Sequence, residues 1–213
     1  MGDINLLIQK ITIYALPVLL AITLHEAAHA YAARRFGDNT AYMMGRMTLN
    51  PLKHIDPIGT VLLPLLSLML GGFIFGWAKP VPVNFGALRK TREHGRLVAA
   101  AGPASNLVMM LMWVLLLKLA IGMDTSYSEP LELMSKAGIS INISLMLLNL
   151  LPILPLDGGR IVESFLPPGM AWKYSRLEPY GMWILLALIA TRTLGYILEP
   201  FYSLMLGLVR FLL

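Results

Sequence analysis

Apolar residues gather into five stretches along the chain, separated by short polar segments. The first, from about Ile11 to Phe36, is long enough at 1.5 Å per residue to cross ~30 Å of hydrocarbon. The second, from about Ile58 to Ile74, is shorter and interrupted by Gly and Pro. The third, Leu97 to Met123, and the fourth, Leu133 to Leu156, each predict a spanning helix. The fifth, Tyr180 to Leu213, is broken by Arg192 and by Glu199-Pro200. It predicts either one span plus an interfacial helix or a tight hairpin. The pattern predicts an all-α polytopic membrane protein, a transmembrane helix bundle. Short membrane-associated strands or a re-entrant segment join its first span to the next.

Composition narrows the class. Hydrophobic residues make up 57% of the 213 and charged residues only 14%, where about a quarter would suit a soluble domain. One transmembrane domain over 1–213 is expected, with core motifs at 20–165 and C-terminal helices at 179–213. The net charge of +5 does not predict a nucleic-acid partner, because excess Lys and Arg in so apolar a chain belong in cytoplasmic loops. The absence of cysteine excludes disulfides, thiolate metal sites and a cysteine nucleophile. The N-terminus lacks the pattern of a removable signal peptide, so the first apolar segment is expected to stay in the protein.

Loop charge predicts orientation. Lys79, Arg89, Lys90, Arg92 and Arg96 lie between the second and third stretches against a single Glu93. Asp124, Glu129 and Glu132 lie between the third and fourth, with no basic residue before Lys136. The positive-inside rule places the first loop in the cytoplasm and the second outside. Arg34, Arg35 and Lys53 put the end of the first helix in the cytoplasm too, as do Arg160, Lys173 and Arg176 the end of the fourth. The second stretch then cannot cross once, and is expected to be re-entrant, interfacial or a hairpin. Its flanks, Tyr42 to Asn50 and Phe73 to Asn84, suit short strands against the mouth of a site.

The candidate chemistry begins with His25-Glu26-Ala27-Ala28-His29. Residues four apart on a helix share a face, so both imidazoles can reach one ion. Three ionisable residues in one turn of a span are costly, and such residues are usually functional. A catalytic zinc takes three protein ligands and leaves a fourth position for water, which Glu26 is placed to deprotonate. Asp157 is the preferred third ligand. It closes the run from Asn149 through Pro152 and Pro155 to Gly158-Gly159, where prolines break the helix and the glycines allow a tight turn. Alone, Asp157 would read as a turn residue.

His-Glu-x-x-His on a first core span, with Asn149-x-x-Pro152-x-x-x-Leu156-Asp157-Gly158 on a later one, resembles the site-2 protease family of intramembrane zinc metalloproteases. Ala101-Gly102-Pro103-Ala104-Ser105-Asn106 is similar to that family's small-residue motif, and Gly76 to Asn84 to a loop of its compact bacterial and archaeal members. The resemblance covers about residues 20 to 165. It implies one zinc ion held by His25, His29 and Asp157, with Glu26 as general base. It also implies that Asn149 steadies the substrate or the oxyanion, and that substrates are transmembrane helices cut near the cytoplasmic face. Membrane-tethered regulators and remnant signal peptides both fit. The chain has no room for PDZ or CBS domains. The implied location is the inner, cytoplasmic membrane, with the site toward the cytoplasm and the lipid bilayer as a further partner.

Other polar residues carry blander expectations. Asn106 suits a hydrogen bond to a neighbouring helix or strand, and Gly102 suits close helix approach. His54 and Asp56 suit turn chemistry more than ligation, and His94 a solvated position. Arg192 suits snorkelling to an interface. The run Arg89 to Arg96 marks topology or binds anionic head groups. A metal transporter would show repeated halves, which are absent from the sequence. A non-catalytic binder of transmembrane segments would have no need of Glu26.

Overall fold

The computed structural model describes residues 2–62 and 79–213. The chain forms helix α1 (Gly2–Arg35), the short α2 (Thr40–Met43), α3 (Thr91–Ile121) and α4 (Ser128–Asn149). Helices α5 (Asp157–Phe165), α6 (Pro168–Ser175), α7 (Glu178–Ala190) and α8 (Thr193–Leu212) follow. Single turns of helix at Pro51–Lys53, Pro57–Leu62 and Phe85–Ala87 punctuate the segment between α2 and α3. Among the described residues, Ile8–Arg35, Thr91–Ile121 and Ser128–Asn149 are each long and apolar enough to cross a membrane.

Helices α1, α3 and α4 pack together. Met110, Trp113, Val114 and Leu117 of α3 meet Ile139 and Ile143 of α4 and Val209 of α8 in one buried cluster. Leu111, Leu115 and Leu119, four residues apart on α3, are exposed. That stripe would face lipid, as a span's outward side must. Ala21, Ala27, Ala30 and Ala33 of α1 are buried, so the first span turns a small-residue face inward and admits its neighbours closely.

The C-terminal stretch is a bent pair. Helices α7 and α8 meet at 83°, which fits a span with a helix lying across it better than a hairpin of antiparallel arms. Arg192 sits exposed at the break with φ of 60°, a left-handed conformation that ends one helix before the next begins.

The strands expected at Tyr42 to Asn50 and Phe73 to Asn84 do not form within the described residues. The first segment closes on itself through α2 and turn bonds from Gly45 N–H to Tyr42 O and from Arg46 N–H to Ala41 O. In the second, residues 79–84 have no regular secondary structure, and Pro80 and Pro82 have no N–H to donate. Other donors are taken elsewhere: Lys79 N–H by His54 O (3.0 Å), Val81 N–H by Glu26 Oε2 (2.7 Å) and Asn84 N–H by Asp38 Oδ2 (2.7 Å). The expected re-entrant stretch, like residues 73–78, falls largely outside the described residues.

Asp38 ties this strap to the end of α1. Its side chain is 1% exposed, with Oδ1 accepting from Thr40 N–H and Oγ1 while Oδ2 holds Asn84. A buried carboxylate with three donors is stable only while they remain. Asp38→Ala is expected to destabilise the folded protein by about 2 kcal/mol. It should also speed proteolysis within residues 79–84, read by limited digestion in detergent.

Candidate metal centre

Helix α1 carries His25 and His29 one turn apart on its buried face, 7% and 8% exposed. Helix α5 brings in Asp157 from its first turn, where the amino end of the helix favours a carboxylate. The two Nε2 atoms are 3.1 Å apart. Asp157 Oδ2 lies 3.2 Å from His25 Nε2, and Oδ1 lies 3.3 Å from His29 Nε2. Among the described residues these three form the group able to hold a metal ion.

The far side of each ring decides what the near side offers. His25 Nδ1 is 2.6 Å from Asn106 Oδ1, and His29 Nδ1 is 2.8 Å from the carbonyl of Val98. Both partners accept, so both Nδ1 atoms carry the proton and both Nε2 atoms present lone pairs. Two lone pairs and a carboxylate therefore converge with no donor among them, and Asp157 Oδ2 is buried without a hydrogen bond. With both imidazoles neutral, three acceptors at such distances suit a bound cation. Imidazole with carboxylate, and no thiolate, is a donor set that zinc accepts.

Gly102 of α3 forms one wall. A Cβ on it would stand 2.3 Å from His29 Nε2 and 2.6 Å from His25 Nε2, too close for either ring to keep its place. Its absent side chain is thus part of the site itself, more than the aid to helix approach expected from sequence.

Gly158 and Gly159 also differ from expectation. Neither has positive φ; both lie in the first turn of α5. A Cβ on Gly158 would meet Leu150 O at 2.2 Å, and one on Gly159 would meet Leu154 N at 2.5 Å. Close packing on the preceding loop demands them, and that packing seats Asp157 against α1.

Glu26 points to the same cavity, of about 290 Å³, lined also by His25, His29, Asn149, Asp157 and Arg160 with Pro80, Val81, Val83 and Phe85. Val81 N–H holds one oxygen of Glu26. Asn149, last residue of α4, lines the wall and gives one N–H of its amide to Leu145 O at 3.0 Å. Arg160, read from sequence only as a topology charge, is in the wall as well, paired with Glu163 and Glu178 and 5.6 Å from the Phe85 ring.

Outside the site, His54 is buried with Nε2 2.9 Å from Thr48 O, and Asp56 Oδ1 accepts from Gly59 N–H, as turn residues do. His94 is not merely solvated, for it stacks on Phe36 with centroids 4.4 Å apart. Sequence reasoning passed over Asn142, whose Oδ1 accepts from Asn106 at 3.0 Å. A lone amide amid an apolar span was the available signal.

Comparisons with known proteins agree with this chemistry. A family model described as "Peptidase family M50" matches residues 119–189, which include Asn149 and Asp157. The chain is 44% identical to "Putative zinc metalloprotease YwhC" of Bacillus subtilis, over 86% of this chain and 82% of that one. It is 33% identical to "Putative zinc metalloprotease Rip2" of Mycolicibacterium smegmatis and 30% to that of Mycobacterium tuberculosis, in both over 83% of this chain. The chain spans 66% of the length of each of these two. No solved structure gives a significant match.

Gly102→Ala puts a methyl group against the Nε2 atoms of both candidate ligands. The expected outcome is zinc content near background in the purified protein, with helical circular dichroism unchanged. Metal analysis beside the spectrum checks it.

Proposed function

This chain belongs to peptidase family M50, and on that premise we propose that His25, His29 and Asp157 hold the zinc of an intramembrane protease whose general base is Glu26. The convergence of three acceptors with no donor among them carries this reading. The protein is a zinc metalloprotease with several membrane-crossing helices, and it acts within the membrane.

Zinc, when bound, supplies Lewis acidity to polarise a peptide carbonyl and acidify water. The chain's own residues do the rest. Glu26, held by Val81 N–H, keeps its carboxylate turned to the cavity, where it takes a proton from water and returns it to the leaving amine. Asn149 has a second amide hydrogen beyond the one given to Leu145, and this hydrogen steadies the substrate carbonyl as charge grows on its oxygen. Pro80, Val81, Val83 and Phe85 give the cavity an apolar wall suited to a stretch of unwound transmembrane segment.

Charge supports the finer reading. Arg34 and Arg35 end α1, and the run Arg89 to Arg96 leads into α3, while Glu129 and Glu132 sit in the first turns of α4. The basic ends belong in the cytoplasm. His25 lies about 14 Å along the helix from Arg34. Cleavage near the cytoplasmic face of the inner membrane follows, on single-span substrates such as membrane-tethered regulators or remnant signal peptides.

Purified protein in detergent should cut single-span model substrates. Glu26→Gln should cut them at least about 100-fold more slowly while retaining its zinc. Equal cutting by the variant would remove Glu26 from the chemistry, and loss of zinc with it would make Glu26 a ligand instead of a base.

A further inference from the structure

Asn142 lies within α4, fully buried, and is absent from the wall of the catalytic cavity. We propose that it is a positioning residue that, through Asn106, selects which nitrogen of His25 faces the metal. The proposal rests on reading His25, His29 and Asp157 as the zinc site.

The carbonyl of Gly138 can only accept, and Asn142 Nδ2 lies 2.8 Å from it. Asn142 Oδ1 therefore points the other way and accepts from Asn106 Nδ2 at 3.0 Å. A second obligate acceptor, Ala21 O, lies 3.3 Å from the same Nδ2. With both amide hydrogens of Asn106 taken, only its oxygen is left for His25, 2.6 Å from Nδ1. An oxygen there requires Nδ1–H and leaves the lone pair on Nε2.

The reversed amide shows what is at stake. Had Asn106 turned its NH₂ to His25, the ring would answer with a lone pair on Nδ1. It would then carry its proton on Nε2 and could not ligate. The orientation of one amide thus decides whether the imidazole is a ligand, and Asn142 makes the shorter of the two contacts that fix it. The relay crosses three spanning helices, from α4 through α3 to α1, and Asn106 and Asn142 are both 0% exposed. No water is needed to complete it.

The test measures zinc affinity of the full-length protein in detergent by competition with a chromophoric chelator. Asn142→Leu, close in volume but without an acceptor, should weaken zinc binding about tenfold. That is the low end for loss of a ligand's outer partner, because Ala21 O still holds one hydrogen. Asn142→Ser, too short to reach Asn106, should do the same and carries the test if the leucine variant does not fold. Asn106→Asp supplies the discriminating background. A carboxylate offers oxygen to His25 whichever way it turns, so Asn142→Leu on top of it should change affinity by less than about twofold.

A merely structural role for Asn142 would weaken zinc binding equally in both backgrounds, or lower the melting temperature of the zinc-free protein without touching affinity. Either result overturns the proposal. His25→Ala separates this from failure of the site reading. If His25→Ala abolishes zinc binding and Asn142→Leu has no effect, only the relay is wrong. If His25→Ala leaves zinc binding intact, the metal site and the relay fall together.

Discussion

Two imidazoles can share an ion only if each keeps its proton on the outer nitrogen, and for rings buried between helices that choice is fixed by acceptors from the protein. Here Asn106 and the Val98 carbonyl fill that need for His25 and His29. Both come from α3, so the pairing of α1 with α3 is at once the packing of two spans and the orientation of two candidate ligands. A third helix joins through Asn142. Polar groups in hydrocarbon are tolerated only when satisfied. A relay ending on backbone carbonyls meets that condition with protein atoms alone, and the three inward lone pairs are the part left for a metal.

Small residues make the convergence possible. The His25 and His29 rings fit because Gly102 has no side chain, and Asp157 reaches them because Gly158 and Gly159 let α5 settle onto the loop that precedes it. Gly181 of α7 adds a further close approach, for a Cβ there would fall 1.5 Å from Leu154 O. These glycines are spread over 80 residues yet serve one centre. Around it the strap at 79–84 closes one wall, held by side-chain acceptors at Asp38 and Glu26. Glu26, the proposed general base, is therefore also an anchor, and its carboxylate has a fixed aim before any substrate arrives.

The helices and the ligand candidates were legible in the sequence because they rest on local rules. Length and hydropathy mark the spans, and four-residue spacing puts His25 and His29 on one face. What was not legible rests on contacts between distant segments. Gly102 reads as a helix-packing residue until His25 and His29 are found against it. Gly158-Gly159 reads as a turn because glycine pairs often are, whereas here crowding and not φ requires them. The strap reads as a strand because its residues favour extended chain, but prolines and competing side-chain acceptors deny it a partner. Asn142 gave a signal, a buried amide in a span, whose meaning depended on Asn106 lying opposite.

X-ray absorption at the zinc edge of the purified protein reports which side chains surround the ion. The account predicts a shell of nitrogen and oxygen at about 2.0–2.1 Å with multiple scattering from two imidazoles. One of those imidazoles should disappear in His29→Ala. A shell without imidazole scattering, or one with three imidazoles that recruits His54 or His94, would contradict it.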